Sequence, residues 1–425
     1  MKTLDKFFVF IYLILVVNFF DFINISGTWL ESFAAYSQKK LLFIITLLYL
    51  LFRGVVSSRG EKLRRNFSPS VVFIVIATII IILASSAKYG QSLISTFFVG
   101  YPMLVLIAYY IFTSVLIDRQ SWISFVDMML LFSGLLSFSK ILQSFVLVHF
   151  NKLIFYINAT SDKDALSKSY TLLGFTRMAS ASDYVFFALL MAIFISVSGL
   201  DKSYLKKHIV SNSFSVLFLV LVGQTRSYIM MLLVAMIFLF ANRIYKRLRG
   251  GGLLGLSILL SPVLLFGVYY FIQKFIVNAS DAKAYSVNVR LSAISYYLDQ
   301  MNYSSWYGIG FARDDLYTGL IHGDNSWGTL LGYNFDDVGI IGFFGQYGYT
   351  GVVFILLLAI AIMHILIFAK NKFAVFLLLG ILMMSFITTS YTNPQRVAYL
   401  PILLTAFDFV LKWDNQEEQL QYVEN

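Results

Sequence analysis

SNSFSVLFLVLVGQTRSYIMMLLVAMIFLFA, residues 211–241, is the stretch that decides the fold. Apart from the turn Gln224-Thr225-Arg226-Ser227 it is almost continuously apolar. Two apolar arms joined by one arginine describe two membrane-crossing helices with a charge held between them. A guanidinium at that depth costs several kcal/mol unless it faces a cavity or a partner, so Arg226 is a candidate functional residue. The basic loops ending at His208 and starting at Arg243 leave each arm about sixteen residues. That is roughly 24 Å at 1.5 Å per residue, against a hydrocarbon core near 30 Å. The turn should therefore lie below the outer surface, in a wet, protein-lined recess. Snorkelling to the headgroups, or pairing with a buried carboxylate, is the structural alternative.

The remainder of the chain follows the same pattern. Its 425 residues are 59% hydrophobic and 13% charged, with a mean hydropathy of +0.78, which excludes a soluble globular domain. About twelve apolar spans are expected, near residues 7–24, 41–56, 71–86, 92–116, 122–149, 183–200, 209–223, 227–242, 252–274, 340–369, 373–390 and 397–411. The first begins with Met1-Lys2-Thr3, lacks a small-residue cleavage site and is read as a retained helix. The fold class is thus an all-α polytopic membrane protein, a single integral membrane domain over 1–425. The chain has no cysteine, which excludes disulfides and cysteine-based metal or nucleophile chemistry.

A net charge of +10 does not indicate nucleic acid here. The basic residues sit in short loops: Arg59, Lys62, Arg64 and Arg65; Lys202, Lys206 and Lys207; Arg243, Lys246, Arg247 and Arg249; Lys370 and Lys372. All fall on one side if both termini are cytoplasmic, as the positive-inside rule requires. Three segments then face outward. Residues 150–183 contain Arg177. Residues 275–338, a long extracytoplasmic loop, contain Arg290, Arg313 and His322. Residues 388–396 end in Asn393-Pro394-Gln395-Arg396.

The polar chemistry is concentrated in these outward segments. Arginine presents a planar fork of donors matched to phosphate oxygens, and it stays charged at any relevant pH. Arg290 leads through Tyr296, Tyr297 and Trp306 to Gly308-Ile309-Gly310-Phe311. A solvated loop charge is the alternative for Arg290, and an interfacial belt is the alternative to sugar stacking for the aromatics. The glycines permit positive φ or close backbone approach. His322-Gly323-Asp324-Asn325 sets a histidine beside a carboxylate, suited to orienting or deprotonating a hydroxyl, or else simply solvated. Asp314-Asp315 and Asp336-Asp337 are acidic pairs without a metal-ligand spacing, and His149, His208 and His364 are scattered, so no metal and no cofactor are expected. Lys140, inside an apolar span, is expected to snorkel or pair.

Thr225-Arg226-Ser227 opening a helix, Arg290 followed by Gly308-Ile309-Gly310, and Gly339-Ile340-Ile341-Gly342 before Gly348 together resemble the O-antigen polymerase and O-antigen ligase family of bacterial envelope glycosyltransferases. The resemblance covers mainly residues 210–350. It implies a twelve-helix fold of the C-type glycosyltransferase kind in the bacterial cytoplasmic (inner) membrane, with an outward-facing active site for undecaprenyl-pyrophosphate-linked glycans. On this reading Arg226, Arg290, Arg313 and Arg396 hold the pyrophosphate, and His322 and Asp324 are catalytic. The partners are a lipid-linked oligosaccharide donor and acceptor, with a flippase and a chain-length regulator as further ones. Ligases of the family use a His-Asn pair, whereas His322 is separated from Asn325, which favours polymerase over ligase. A lipid-linked oligosaccharide flippase is the non-enzymatic alternative. It would favour an internal repeat and charges lining a path through both halves, and the sequence shows neither.

Overall fold

A computed structural model describes residues 1–22, 28, 38–56, 62–152, 154–155, 168–178, 181–247, 281–323, 332–387, 392–393 and 396–424. The chain is mostly helical. In order, α1 is Thr3–Val16, α2 Gln38–Val56, α3 Ser68–Tyr89, α4 Leu93–Val115 and α5 Arg119–Phe150. Next come α6 Ser182–Val197, α7 Ile209–Phe218, which runs into a π turn at Leu219–Gly223, and α8 Arg226–Arg247. The series ends with α9 Asp281–Gln300, α10 Asp314–His322, α11 Ile340–Phe368, α12 Lys372–Ile387 and α13 Tyr399–Glu424. The expected span at 252–274 lies outside the described residues.

Among the described residues, five helices are long and apolar enough to cross a membrane: Ser68–Tyr89, Leu93–Val115, Arg119–Phe150, Ser227–Ile244 and Ile340–Phe368. Their outer faces agree with that. Leu356, Ile360, Met363 and Ile367 on α11 are all more than half exposed, as are Ile76 and Leu83 on α3. Water does not tolerate apolar faces of that extent, whereas lipid tails do. The core gathers around α6, in which every residue from Tyr184 to Val197 is buried. A helix apolar on all sides must be enclosed by other helices. Lys140 on α5 is buried, with its ammonium 5.3 Å from the centre of the Phe22 ring.

The basic connections meet at one end of the helices. Arg65 bonds Thr113 and the Tyr110 carbonyl, and Arg119 bonds the Leu200 carbonyl. Asn242 reaches the Val197 carbonyl, Asn371 reaches those of Val197 and Ser198, and Lys412 bonds that of Ile117. The end-of-helix carbonyls, which have no partner within their own helix, are capped by neighbouring polar side chains.

At the opposite end the chain departs from the purely helical expectation in two ways. Strands β1 (Lys168–Leu172) and β2 (Phe175–Arg177) form an antiparallel hairpin around Leu173-Gly174, both at positive φ, 50° and 81°. A two-residue connection of this hand matches the strand twist. The Ser144 hydroxyl ties β2 to α5 through both the N–H and the C=O of Thr176, and Met178 N–H bonds the Val222 carbonyl on the π turn. The expected extracytoplasmic loop, in turn, contains α9, α10 and a 3-10 turn, Phe335–Val338. Ala293 and Tyr297, one turn apart on α9, are buried with Val338, so this segment packs instead of hanging free.

Candidate functional site

Three helices begin together at this second end. α6 opens with Ser182-Asp183, and α8 opens with Arg226, two residues before Tyr228. α13 opens at Tyr399, three residues after Arg396. Phe186 stacks on Tyr228 with ring centres 4.6 Å apart, and Phe187 lies 4.8 Å from Tyr399. The first turns of α8 and α13 are therefore held against the first turn of α6. Gly223 just before the arginine turn abuts Ser182, and Gln224 adopts positive φ of 47°, which reverses the chain there.

Arg396 occupies the middle of this junction. Its Nε lies 3.7 Å from Asp183 Oδ2, which is ion-pair range but beyond a hydrogen bond, and this buried nitrogen has no hydrogen-bond partner among the described residues. The guanidinium also adjoins Tyr228, Tyr399 and Asp336. Burial works against its charge, but Tyr228, Asp183 and Asp336 outweigh that and hold it protonated. Asn393 donates a side-chain hydrogen bond to Asp336, whose own acidity is weakened above all by burial. An arginine with unfilled donor capacity beside two carboxylates, all near the start of the Arg226 helix, can accept a further anionic group. Asp183 at the first turn of α6 is well placed for the helix dipole but partly offsets the positive charge.

A second cluster is built on α10. Arg313 pairs through Nε and a terminal nitrogen with both oxygens of Asp315, two residues on, and its backbone N–H bonds Gln91. That pairing strengthens the Asp315 acid, chiefly through the hydrogen bond. His322 closes α10 with Nε2 2.8 Å from Asp314 and Nδ1 2.5 Å from the Tyr333 carbonyl. Both ring nitrogens face acceptor oxygens, so satisfying both takes a donor on each, which leaves no lone pair to receive a proton. In this arrangement the imidazole clamps residue 314 to residue 333. Arg290 is exposed on α9, and Asp324 lies outside the described residues.

The glycine motifs meet each other. α11 is broken at Gly348 (φ 56°, ψ −141°), and segment 306–310 pairs with the break. The N–H groups of Ile309 and Gly310 bond the carbonyls of Gly345 and Gln346, and Thr350 bonds the Trp306 carbonyl through its N–H and its hydroxyl. A Cβ on Gly308 would collide with the Gly345 carbonyl, and one on Gly348 would stand 2.5 Å from Gly308 N. These glycines complete a discontinuous helix whose freed backbone groups need partners at this depth. Tyr296 and Tyr297 hydroxyls are spent on the carbonyls of Leu320 and Ile321, while Trp306 remains partly exposed.

The sequence points to Arg226 and Arg396 singly, but not to the junction at which their helices begin. Asp183, Tyr228 and Tyr399 were not singled out, and the only signal at Asp183 is a carboxylate at the mouth of an apolar span. The chain matches no protein-family model and no curated protein sequence.

Proposed function

We propose that this chain is a membrane glycosyltransferase that polymerises undecaprenyl-pyrophosphate-linked oligosaccharide repeats into a surface polysaccharide. The growing glycan passes from its lipid pyrophosphate to a hydroxyl of the next lipid-linked repeat. The observation that carries the reading is Arg396, with a buried Nε free of hydrogen bonds, at the junction where the Arg226 helix begins and opposite the basic loops. With those loops cytoplasmic, the chain is a multi-pass protein of the bacterial inner membrane and the junction faces outward. Arg226, Arg396 and the exposed Arg290 neutralise charge gathering on the pyrophosphate as the glycosidic bond breaks. Arg313, already bonded to Asp315, has the smallest share. Asp324 is the candidate to orient or deprotonate the acceptor hydroxyl, and His322 acts as the clamp between residues 314 and 333. Flippase and chain-length regulator are the natural partners of such an enzyme.

Glycan gels of a deletion strain test the reading. A single repeat on the lipid core supports polymerase. Long unattached polymer indicates the ligase, and absence of any exported repeat indicates the flippase.

A further inference from the structure

We propose that Tyr303, Trp306 and Tyr349, with donors from Lys88 and Asn302, form a saccharide-binding platform. Its role, which rests on the polymerase reading above, is to hold the growing glycan between successive transfers. Three separate segments meet here: the end of α3, the connection between α9 and α10, and the first residue after the break in α11. Lys88 donates to the Ser304 hydroxyl at 2.7 Å and sets its ammonium 3.9 Å from the centre of the Tyr303 ring, with the Tyr89 and Tyr307 rings both at 5.8 Å. Tyr349 donates its hydroxyl to Asn302 Oδ1 at 2.8 Å. Trp306 packs edge-on against Tyr307 with ring centres 4.7 Å apart, and its carbonyl takes both bonds from Thr350. Tyr89 donates to the Ile309 carbonyl and so ties α3 to the same connection.

Although anchored in this way, the rings stay open: Trp306 is 38% exposed, Tyr303 44% and Tyr349 50%. Unspent donors stand around them. The Lys88 ammonium keeps N–H groups beyond the one given to Ser304, and the Asn302 amide and the Tyr303 hydroxyl donate to no described residue. A sugar ring has a C–H face that stacks on an aromatic ring and an edge of hydroxyls that needs hydrogen-bond partners, and this surface supplies both. A lipid tail would cover the rings but leave the ammonium and the amide unpaired, at a cost. Tyr297, by contrast, is fully buried with its hydroxyl on the Ile321 carbonyl, and it has no face to offer. From Tyr349 to the far end of α11 at Phe368 is about twenty residues, roughly 30 Å at 1.5 Å per residue. With the basic loops cytoplasmic, the platform therefore stands at the outer edge of the hydrocarbon core, the level at which sugars carried on a lipid pyrophosphate emerge.

The test uses the purified full chain in phosphatidylcholine nanodiscs. Its probe is the oligosaccharide repeat of the deletion strain, released from the lipid by mild acid so that neither pyrophosphate nor lipid contributes to binding. Wild type should bind this repeat, as read by saturation-transfer NMR. Tyr303→Leu and Trp306→Leu keep an apolar contact for lipid but remove the aromatic face, and each should weaken binding by about fivefold or more. Tyr303→Phe and Trp306→Phe should recover most of it, and Phe240→Leu, at an exposed position on α8, should leave it unchanged. In cells both Leu variants should shorten the glycan ladder while the first transfer, which joins two repeats, persists. No binding by wild type, or equal binding by wild type and the Leu variants, would overturn the platform. If the Leu variants do not fold, Asn302→Ala carries the same test at an exposed position, and unchanged binding would overturn the platform equally. A full-length ladder from variants that no longer bind the repeat would overturn the holding role. Binding without polymer from wild type would fail the polymerase reading and leave the saccharide platform standing.

Discussion

Arg396 and Arg313 both stand beside aspartates at the same end of the molecule, and they are held in opposite ways. Arg313 reaches Asp315 two residues along its own chain, on an exposed helix start, and that carboxylate occupies its fork. Arg396 is four-fifths buried and meets residues from α6, α8 and the 335–338 turn, with its Nε left over. An exposed local pair contributes little and is screened by salt. A largely buried arginine with unused donors is retained at a cost, and binding an anion recovers it. The contrast shows that the number of arginines in a loop says less than how many of their donors folding leaves unfilled.

The largest expected effect separates these two residues. Arg396→Ala and Arg396→Lys should each abolish the polymer ladder, because lysine keeps the charge but loses the planar fork. Arg313→Ala should leave a ladder of nearly normal length. Equal ladders from the Arg396 and Arg313 variants would erase the distinction. Membrane protein levels measured alongside separate lost chemistry from lost protein.

The broken helix supplies the next effect. Gly348→Ala places a β-carbon on a residue at φ 56° and 2.5 Å from Gly308 N, and Gly308→Ala meets the Gly345 carbonyl. Strain at such positions is about 1–3 kcal/mol before any collision is counted. Both variants should melt several degrees lower in detergent, and unchanged melting would show that the pairing of 306–310 with α11 is dispensable.

His322→Ala should be milder in activity than a lost base. Two hydrogen bonds disappear, one of them to a carboxylate, which predicts a stability loss of about 1–3 kcal/mol and a turnover loss below about tenfold. A loss of about 10² or more with unaltered melting would return His322 to the role of base.

The smallest effect lies at the far end, where Lys207 bonds Asp201 at 2.6 Å and lowers its acid to about 2, chiefly through that hydrogen bond. Because the folded value is depressed, the stabilisation is present above the ordinary carboxylate pKa near 4 and is lost as pH falls toward about 2. Lys207→Ala should cost under about 1 kcal/mol at neutral pH and nothing at the acid limit. A loss independent of pH in acid melts would show that Lys207 acts through packing.

Residues 211–241 already carried the two-helix reading with an arginine between, and α7 and α8 have those bounds within a few residues. The glycines at 308 and 310 were recognisable as positions allowing unusual backbone, but the break at Gly348 and its contact with them were not, because pairing across about forty residues leaves no local period. The hairpin at 168–177 was missed: its signal, Leu173-Gly174 between threonines and aromatics, is short and sits in a segment read as a connection.

Composition and apolar period by themselves determined that this chain builds apolar helices and where its basic loops fall, since the transfer of apolar side chains out of water is additive along the sequence. Tertiary structure alone decided which charges meet. Arg396, Asp183 and Asp336 are distant in sequence, and whether a guanidinium ends up paired, solvated or poised depends on distances of a few ångströms between separate helices, over which electrostatic energy changes steeply in a low-dielectric interior.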